Sequence, residues 1–161
     1  MRKIILFIIL SLSIIKADAQ YTYAVGLRAG QTTAIVYRQF FGPRVAIDGW
    51  LGLNDGPVVK AFYIYNSNNH DIRIGIANLA FFAGFGLYAR YYSNPKPFTD
   101  IQTNSAFMFG IDAIAGAEYK LPNIPFVINV DFNPGFLIYN HSLYTHDFDI
   151  DYGLSLRYII K

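Results

Sequence analysis

Residues 149–160 read Asp-Ile-Asp-Tyr-Gly-Leu-Ser-Leu-Arg-Tyr-Ile-Ile, and the stretch alternates without a fault. In an extended chain Ile150, Tyr152, Leu154, Leu156, Tyr158 and Ile160 fall on one side. Asp149, Asp151, Gly153, Ser155 and Arg157 fall on the other. Successive side chains of a strand point to opposite faces, so this segment has one apolar wall and one charged wall. Strands of a transmembrane barrel alternate in this way, apolar outward and polar inward.

Seven further stretches carry strand character. Working back from Asp149–Ile160, they are Phe126–Tyr139, Ser105–Lys120, Leu79–Tyr92, Pro57–Tyr65, Val45–Leu53, Thr33–Phe41 and Tyr21–Ala29. Turn-forming residues separate them at Gly30-Gln31-Thr32, Gly42-Pro43-Arg44, Asn54-Asp55-Gly56 and Leu121-Pro122-Asn123-Ile124-Pro125. Longer polar connections fall at Ser93–Asn104 and Asn140–Phe148. The expected fold is all-β: an eight-stranded, antiparallel, transmembrane up-and-down β-barrel with a filled polar lumen. An even strand count places both strand termini at one end, the periplasmic side of such a barrel.

The faces follow from parity. Phe107, Phe109, Ile111, Ala113, Ala115, Ala117 and Tyr119 share one wall, opposite Asp112, Glu118 and Lys120. Phe126, Ile128, Val130, Phe132, Phe136 and Ile138 oppose Asn129, Asp131, Asn133 and Gly135. Between residues 33 and 65 the alternation is less clean, and Arg38, Asp48 and Lys60 are placed inward by their charge. The inward set is then Arg28, Arg38, Lys60, Arg90, Lys120 and Arg157 against Asp48, Asp112, Glu118, Asp131, Asp149 and Asp151. Six cations face six anions in a bore that side chains can fill. An unpaired buried charge costs several kcal/mol, so the expectation is a structural ion-pair network rather than an ion path.

Two places resist the pattern. Pro134 cannot donate to a ladder, and a closed barrel offers no edge to hide it. Asn133-Pro134-Gly135 is therefore expected to form a bulge. In Asn66–Asn78, Ile72, Ile74 and Ile76 alternate on the opposite parity from Leu79 and Phe81, so a bulge or a separate short segment is expected near Asn78.

Arg2 and Lys3 precede an apolar run from Ile4 to Ile15, and Ala17-Asp18-Ala19 follows as a small-x-small site. This reads as a secretory signal peptide over residues 1–19, cleaved between Ala19 and Gln20, with a single barrel domain over 20–161. The run is short of the roughly 20 residues a membrane helix needs. Residues 20–161 carry equal numbers of basic and acidic side chains, so no basic excess invites nucleic acid. No cysteine is present, which excludes disulfides and attachment of lipid through an N-terminal cysteine. Outward aromatics sort toward the strand ends: Tyr21, Tyr23, Phe41, Tyr65, Tyr119, Phe126 and Tyr158 at one, and Tyr91, Phe107, Phe136 and Tyr152 at the other. Two girdles of this kind mark membrane interfaces.

Val25-Gly26-Leu27-Arg28-Ala29-Gly30 followed by Thr33–Gly42 resembles the opening hairpin of small outer-membrane β-barrel proteins common in Bacteroidetes. Gly110–Pro122, running on through Ile124-Pro125 into Val130–Pro134, resembles the penultimate hairpin of the same proteins, which often carry Lys at the position of Asn133. Asp151, Gly153, Leu156 and Tyr158 resemble the C-terminal signal read by the barrel assembly machinery. That signal usually closes on an aromatic residue, whereas this chain continues Ile159-Ile160-Lys161. The resemblance implies an OmpA/OmpX-like barrel in the outer membrane, with outer-membrane lipid and the assembly machinery as partners, and supplies no common activity.

Catalytic and metal chemistry find little footing. His141 and His146 lie near Asp147 and Asp149, but loop spacing of this kind fixes no coordination geometry. Ser142 beside His141, and Ser93 with Asp100, are the nearest approach to a lipid-modifying site; His70 stands apart. A nucleophile needs a base within hydrogen-bond reach and a third group to orient that base. The expectation is a monomeric, non-enzymatic envelope protein of structural or surface-interaction role, without metal or cofactor. A secreted soluble barrel binding a small apolar ligand is the main alternative, and a lipid-modifying enzyme the lesser one.

Overall fold

The structure is a computed structural model, and it describes residues 22–67, 78–92, 106–140 and 148–160. Eight strands follow one another: β1 (Tyr23–Gly30), β2 (Thr33–Phe40), β3 (Val45–Leu53), β4 (Pro57–Asn66), β5 (Leu79–Tyr92), β6 (Ala106–Lys120), β7 (Phe126–Asn140) and β8 (Phe148–Ile160). Each pairs antiparallel with the next, and β1 pairs with β8 from Tyr23↔Ile160 to Gly30↔Gly153. The sheet therefore closes into an up-and-down barrel. Closure leaves no edge strand with an open row of backbone donors and acceptors.

Strand boundaries differ from the sequence expectation by a residue or two. Gly30 was expected in a turn and instead extends β1, opposite Gly153. Phe148 was expected in a loop and instead opens β8, opposite Phe136. The three-residue turn between β3 and β4 works because Asp55 takes φ 52° and Gly56 φ 150°. Asp tolerates the left-handed region better than most side chains, and Gly carries no Cβ to clash.

Pro134 does not form a bulge. The β6–β7 register runs from Asp112↔Gly135 to Ala115↔Phe132 without a shift, and β7–β8 passes smoothly through Pro134↔Ile150. The proline costs the ladder a donor but inserts no extra residue. The register shift falls farther along, between Phe109 and Gly110, where the partners jump from Tyr139 to Leu137. Near Asn78, φ is 69°, consistent with a turn entering β5. Ile72, Ile74 and Ile76 lie outside the described residues, as do the signal segment, Tyr21, the three histidines, Ser93, Asp100 and Ser142.

Two ends result. The terminal end holds Tyr23, Ile160 and the connections after β2, β4 and β6. The loop end holds the connections after β1, β3, β5 and β7. At the terminal end an apolar plug closes the bore, with Ala24, Phe40, Ala46, Ile64, Val127 and Ile159 buried in one cluster. Farther in, Val36, Trp50, Phe62 and Ile114 fill the section with equally buried side chains.

Inward glycines make room for this filling. A Cβ on Gly116 would sit 2.5 Å from Phe82 Cζ, and one on Gly153 would sit 2.6 Å from Arg28 Cζ. These bulky groups lie directly against the bare backbone of the adjacent strand. Sequence parity placed these glycines inward without revealing what each one seats.

The outer wall is the reverse of the inside. By strand parity, the outward positions of all eight strands carry no Asp, Glu, Lys or Arg; Thr33 and Gln39 interrupt a surface of aliphatic and aromatic residues. Leu27, Leu51, Phe85 and Ile138 are each more than three-fifths exposed on it. Aromatic pairs stand at both ends, Phe126–Tyr158 at the terminal end and Phe136–Phe148 toward the loop end. Banding is partial, because Tyr63, Phe85 and Phe132 occupy the middle of their strands.

Candidate functional site

The chemically distinctive part of the molecule is its charged interior. The simplest element is local. Arg38 on β2 and Asp48 on β3 are register partners on the inner face of one hairpin. Such cross-strand neighbours have Cβ atoms about 5 Å apart, and here the guanidinium forms a two-point bond to the carboxylate. Nε donates to Oδ1 at 2.5 Å and Nη2 to Oδ2 at 2.8 Å. Arg38 Nη1 turns across the bore to Glu118 on β6. Arg157 on β8 donates through Nη2 to the same Asp48 at 3.0 Å, and Asn66 Nδ2 donates to Glu118 Oε1 at 2.9 Å. These groups form a terminal-end cluster of two cations and two anions.

A second cluster lies toward the loop end. Arg28 on β1 reaches β7, donating from Nε (3.1 Å) and Nη2 (2.6 Å) to Asp131. The same Nη2 donates to Asp151 at 3.0 Å, and Nη1 to the carbonyl of Thr32 at 2.6 Å. Lys60 on β4 completes the group, with Nζ 2.8 Å from Asp112 and 3.1 Å from Asp151. Trp50 packs beneath it: Arg28 Cζ stands 4.4 Å from the indole centroid and Lys60 Nζ 5.6 Å. A cation over an aromatic face is attracted by the ring quadrupole, so the apolar filling of the bore also steadies the charges.

The two clusters share no ion-pair partner among the described residues. Ile114 and Gly116 separate Asp112 from Glu118 along β6, and Gly153 and Ser155 separate Asp151 from Arg157 along β8. Arg90 and Asp149 form a third, outer contact at 3.1 Å, where the Asp149 side chain is nearly half exposed. Lys120 is half-buried at the terminal end, and its backbone N donates to the carbonyl of Asn78 at 3.0 Å.

Neutral residues complete the network; parity had placed Asn133 inward, but the sequence assigned neither it nor Thr32 to the network. Thr32 is fully buried although it lies in the β1–β2 turn; its hydroxyl donates to Asp151 at 2.6 Å and accepts from Asn54 at 3.2 Å. Asn133 donates to Asp131 at 2.7 Å. The turn at the loop end thereby dips into the bore and caps it. A buried polar residue inside a turn has no periodicity to betray it.

Among the four residues resembling an assembly signal, Asp151 and Gly153 face the bore, while Leu156 and Tyr158 face outward. Among the described residues no group of three His, Cys, Asp or Glu is arranged to hold a metal ion. Chemically, the interior holds opposite charges in mutual contact in a section filled by Trp50 and Phe62. No family model, no curated protein and no solved structure matches this chain.

Proposed function

We propose that this chain is an integral outer-membrane protein of the OmpA/OmpX-like type. Its barrel is a filled, non-conducting anchor, with a structural or surface-interaction role and no catalytic one. The observation that carries the reading is the uncharged outer wall of all eight strands around a charged interior. A soluble monomer rarely exposes a contiguous apolar patch beyond a few hundred Å². A belt running round the whole barrel has its natural solvent in lipid.

The soluble ligand-binding barrel needs the opposite arrangement, apolar inside and charged outside. A groove of about 680 Å³ lies on the outer wall between Tyr63, Phe85 and Phe136, with Ala61, Ala113 and Pro134 along it. On the proposed reading acyl chains fill it.

The connections after β5 and β7, at the loop end, are then the surface available to partners outside the cell. Membrane fractionation combined with heat-modifiable migration in detergent tests the assignment. The expected result is recovery in the outer-membrane fraction and a gel shift on boiling. Recovery in the soluble fraction contradicts it.

A further inference from the structure

We propose that the apolar groove on the outer wall holds a hydroxylated lipid chain. The chain's hydroxyl donates to the backbone carbonyl of Ala113, which the β6–β7 ladder leaves without a donor. Pro134 is the cause. Leu121 N donates to the carbonyl of Phe126 at 2.9 Å. Hydrogen-bonded pairs of an antiparallel ladder recur at every second residue, so the next ones inward are Tyr119↔Ile128, Ala117↔Val130 and Ala115↔Phe132. Ala113 opposite Pro134 follows, and there the proline has no N–H to give. The Ala113–Pro134 and Ile114–Asn133 pairs are accordingly missing from a ladder otherwise continuous between Gly110 and Lys120. On the other side nothing is lost. Ile159 N donates to the carbonyl of Pro125, and the same count gives the β8 bonds to Asn133, not to Pro134.

The surroundings of that carbonyl select the occupant. Ala113 is the midpoint of β6 and is exposed on the outer wall. It lies with Pro134 along the groove of about 680 Å³, flanked by the rings of Tyr63, Phe85 and Phe136. Among the described residues no side chain donates to it. The groove's one side-chain hydroxyl, that of Tyr63, belongs to a ring packed on Phe85 with centroids 5.7 Å apart. Phe85 is the register partner of both Tyr63 and Ala113, so it stands between them. Hydrocarbon holds no water to satisfy a bare backbone group, which is why such groups are costly there. A plain acyl chain fills the groove and leaves the carbonyl bare, whereas a chain with a hydroxyl fills it and bonds. A charged donor such as an ammonium is penalised at that depth. The middle of the wall lies about half of the roughly 30 Å hydrocarbon thickness from either surface. The hydroxyl therefore belongs well along the chain, not beside the headgroup. This deepens the lipid-facing reading of the wall and rests on it.

The test places the folded barrel in phospholipid nanodiscs and reads the carbon-13 shift of the Ala113 carbonyl by NMR through the Ile114 amide. The probes are 12-hydroxystearate, 2-hydroxystearate and stearate. A saturable downfield shift is expected with 12-hydroxystearate and none with the other two. In Pro134→Ala, which returns an N–H to the ladder, the carbonyl should start downfield and stop responding. An inserted barrel that ignores 12-hydroxystearate, or answers all three probes alike, overturns the proposal and leaves the membrane location standing. So does a Pro134→Ala barrel that responds as the wild type does. A barrel that stays out of the discs overturns the location, and the proposal with it.

Discussion

Arg28 and Asp131 stand 103 positions apart in sequence, on strands that are not neighbours, and meet across the bore through Nε and Nη2 of the guanidinium. The pair ties β1 to β7 over the top of β8, so it forms only when the barrel has closed. Its partners Asp151 and Thr32 come from β8 and from the turn after β1. One arginine thus gathers the seam of the barrel.

Removing one member of that pair leaves the other charge buried. Asp131→Ala is expected to destabilise the folded barrel by about 3–5 kcal/mol, read from urea unfolding in detergent. The double variant Arg28→Met/Asp131→Leu removes both charges and should recover most of the loss. Equal loss in the single and the double variant would show that hydrogen bonds to Thr32 and Asp151, rather than charge pairing, dominate.

Trp50 is the only tryptophan in the chain and lies 1 % exposed beneath Arg28 and Lys60. Its fluorescence should be shielded from acrylamide in the folded barrel and become accessible on unfolding. Ready quenching in the folded state would mean that the bore is open to solvent at this height.

Gly116 seats the Phe82 ring, which in turn lies under the Arg38 guanidinium at 4.6 Å. Gly116→Ala forces the ring to move and should cost about 1–3 kcal/mol as overpacking. A neutral effect in the same urea assay would show that Phe82 can re-seat without disturbing Arg38.

These sites show where sequence reading works and where it stops. Arg38, Asp48 and Lys60 were placed inward on charge alone, and each is buried there, because strand parity leaves only two choices per residue. The Arg38–Asp48 contact was also within reach, since the two residues lie at matching distances from the turn between β2 and β3. The cross-bore partners were not. Which carboxylate Arg28 meets depends on how far the strands stagger around the closed barrel, and no local pattern encodes that. Pro134 misled for a related reason: proline chemistry forbids a donor, which a closed ladder absorbs without changing register. The irregularity between Phe109 and Gly110 does carry a glycine, but inward glycines recur along β5 to β8, so that residue alone does not single out the shift.

On the proposed location, a charge on the outer wall is penalised by depth. Leu154→Arg should cost about 2–4 kcal/mol in a lipid bilayer if Leu154 lies near the midplane, and Gln39→Arg at the strand end only about 0–1. Folding titrations in phospholipid vesicles measure both. Equal and negligible costs at the two positions would place the wall in water.

The most direct test of a lipid-facing wall around a filled, charged bore uses the absence of native cysteine. Single cysteines at residues 152 to 157 of β8 can be spin-labelled, and each folded variant reconstituted in vesicles. Collision with oxygen and with a water-soluble nickel complex is then measured by EPR. The account predicts high oxygen collision at 152, 154 and 156, and low collision with both reagents at 153, 155 and 157. High collision with the nickel complex at the even positions would contradict it.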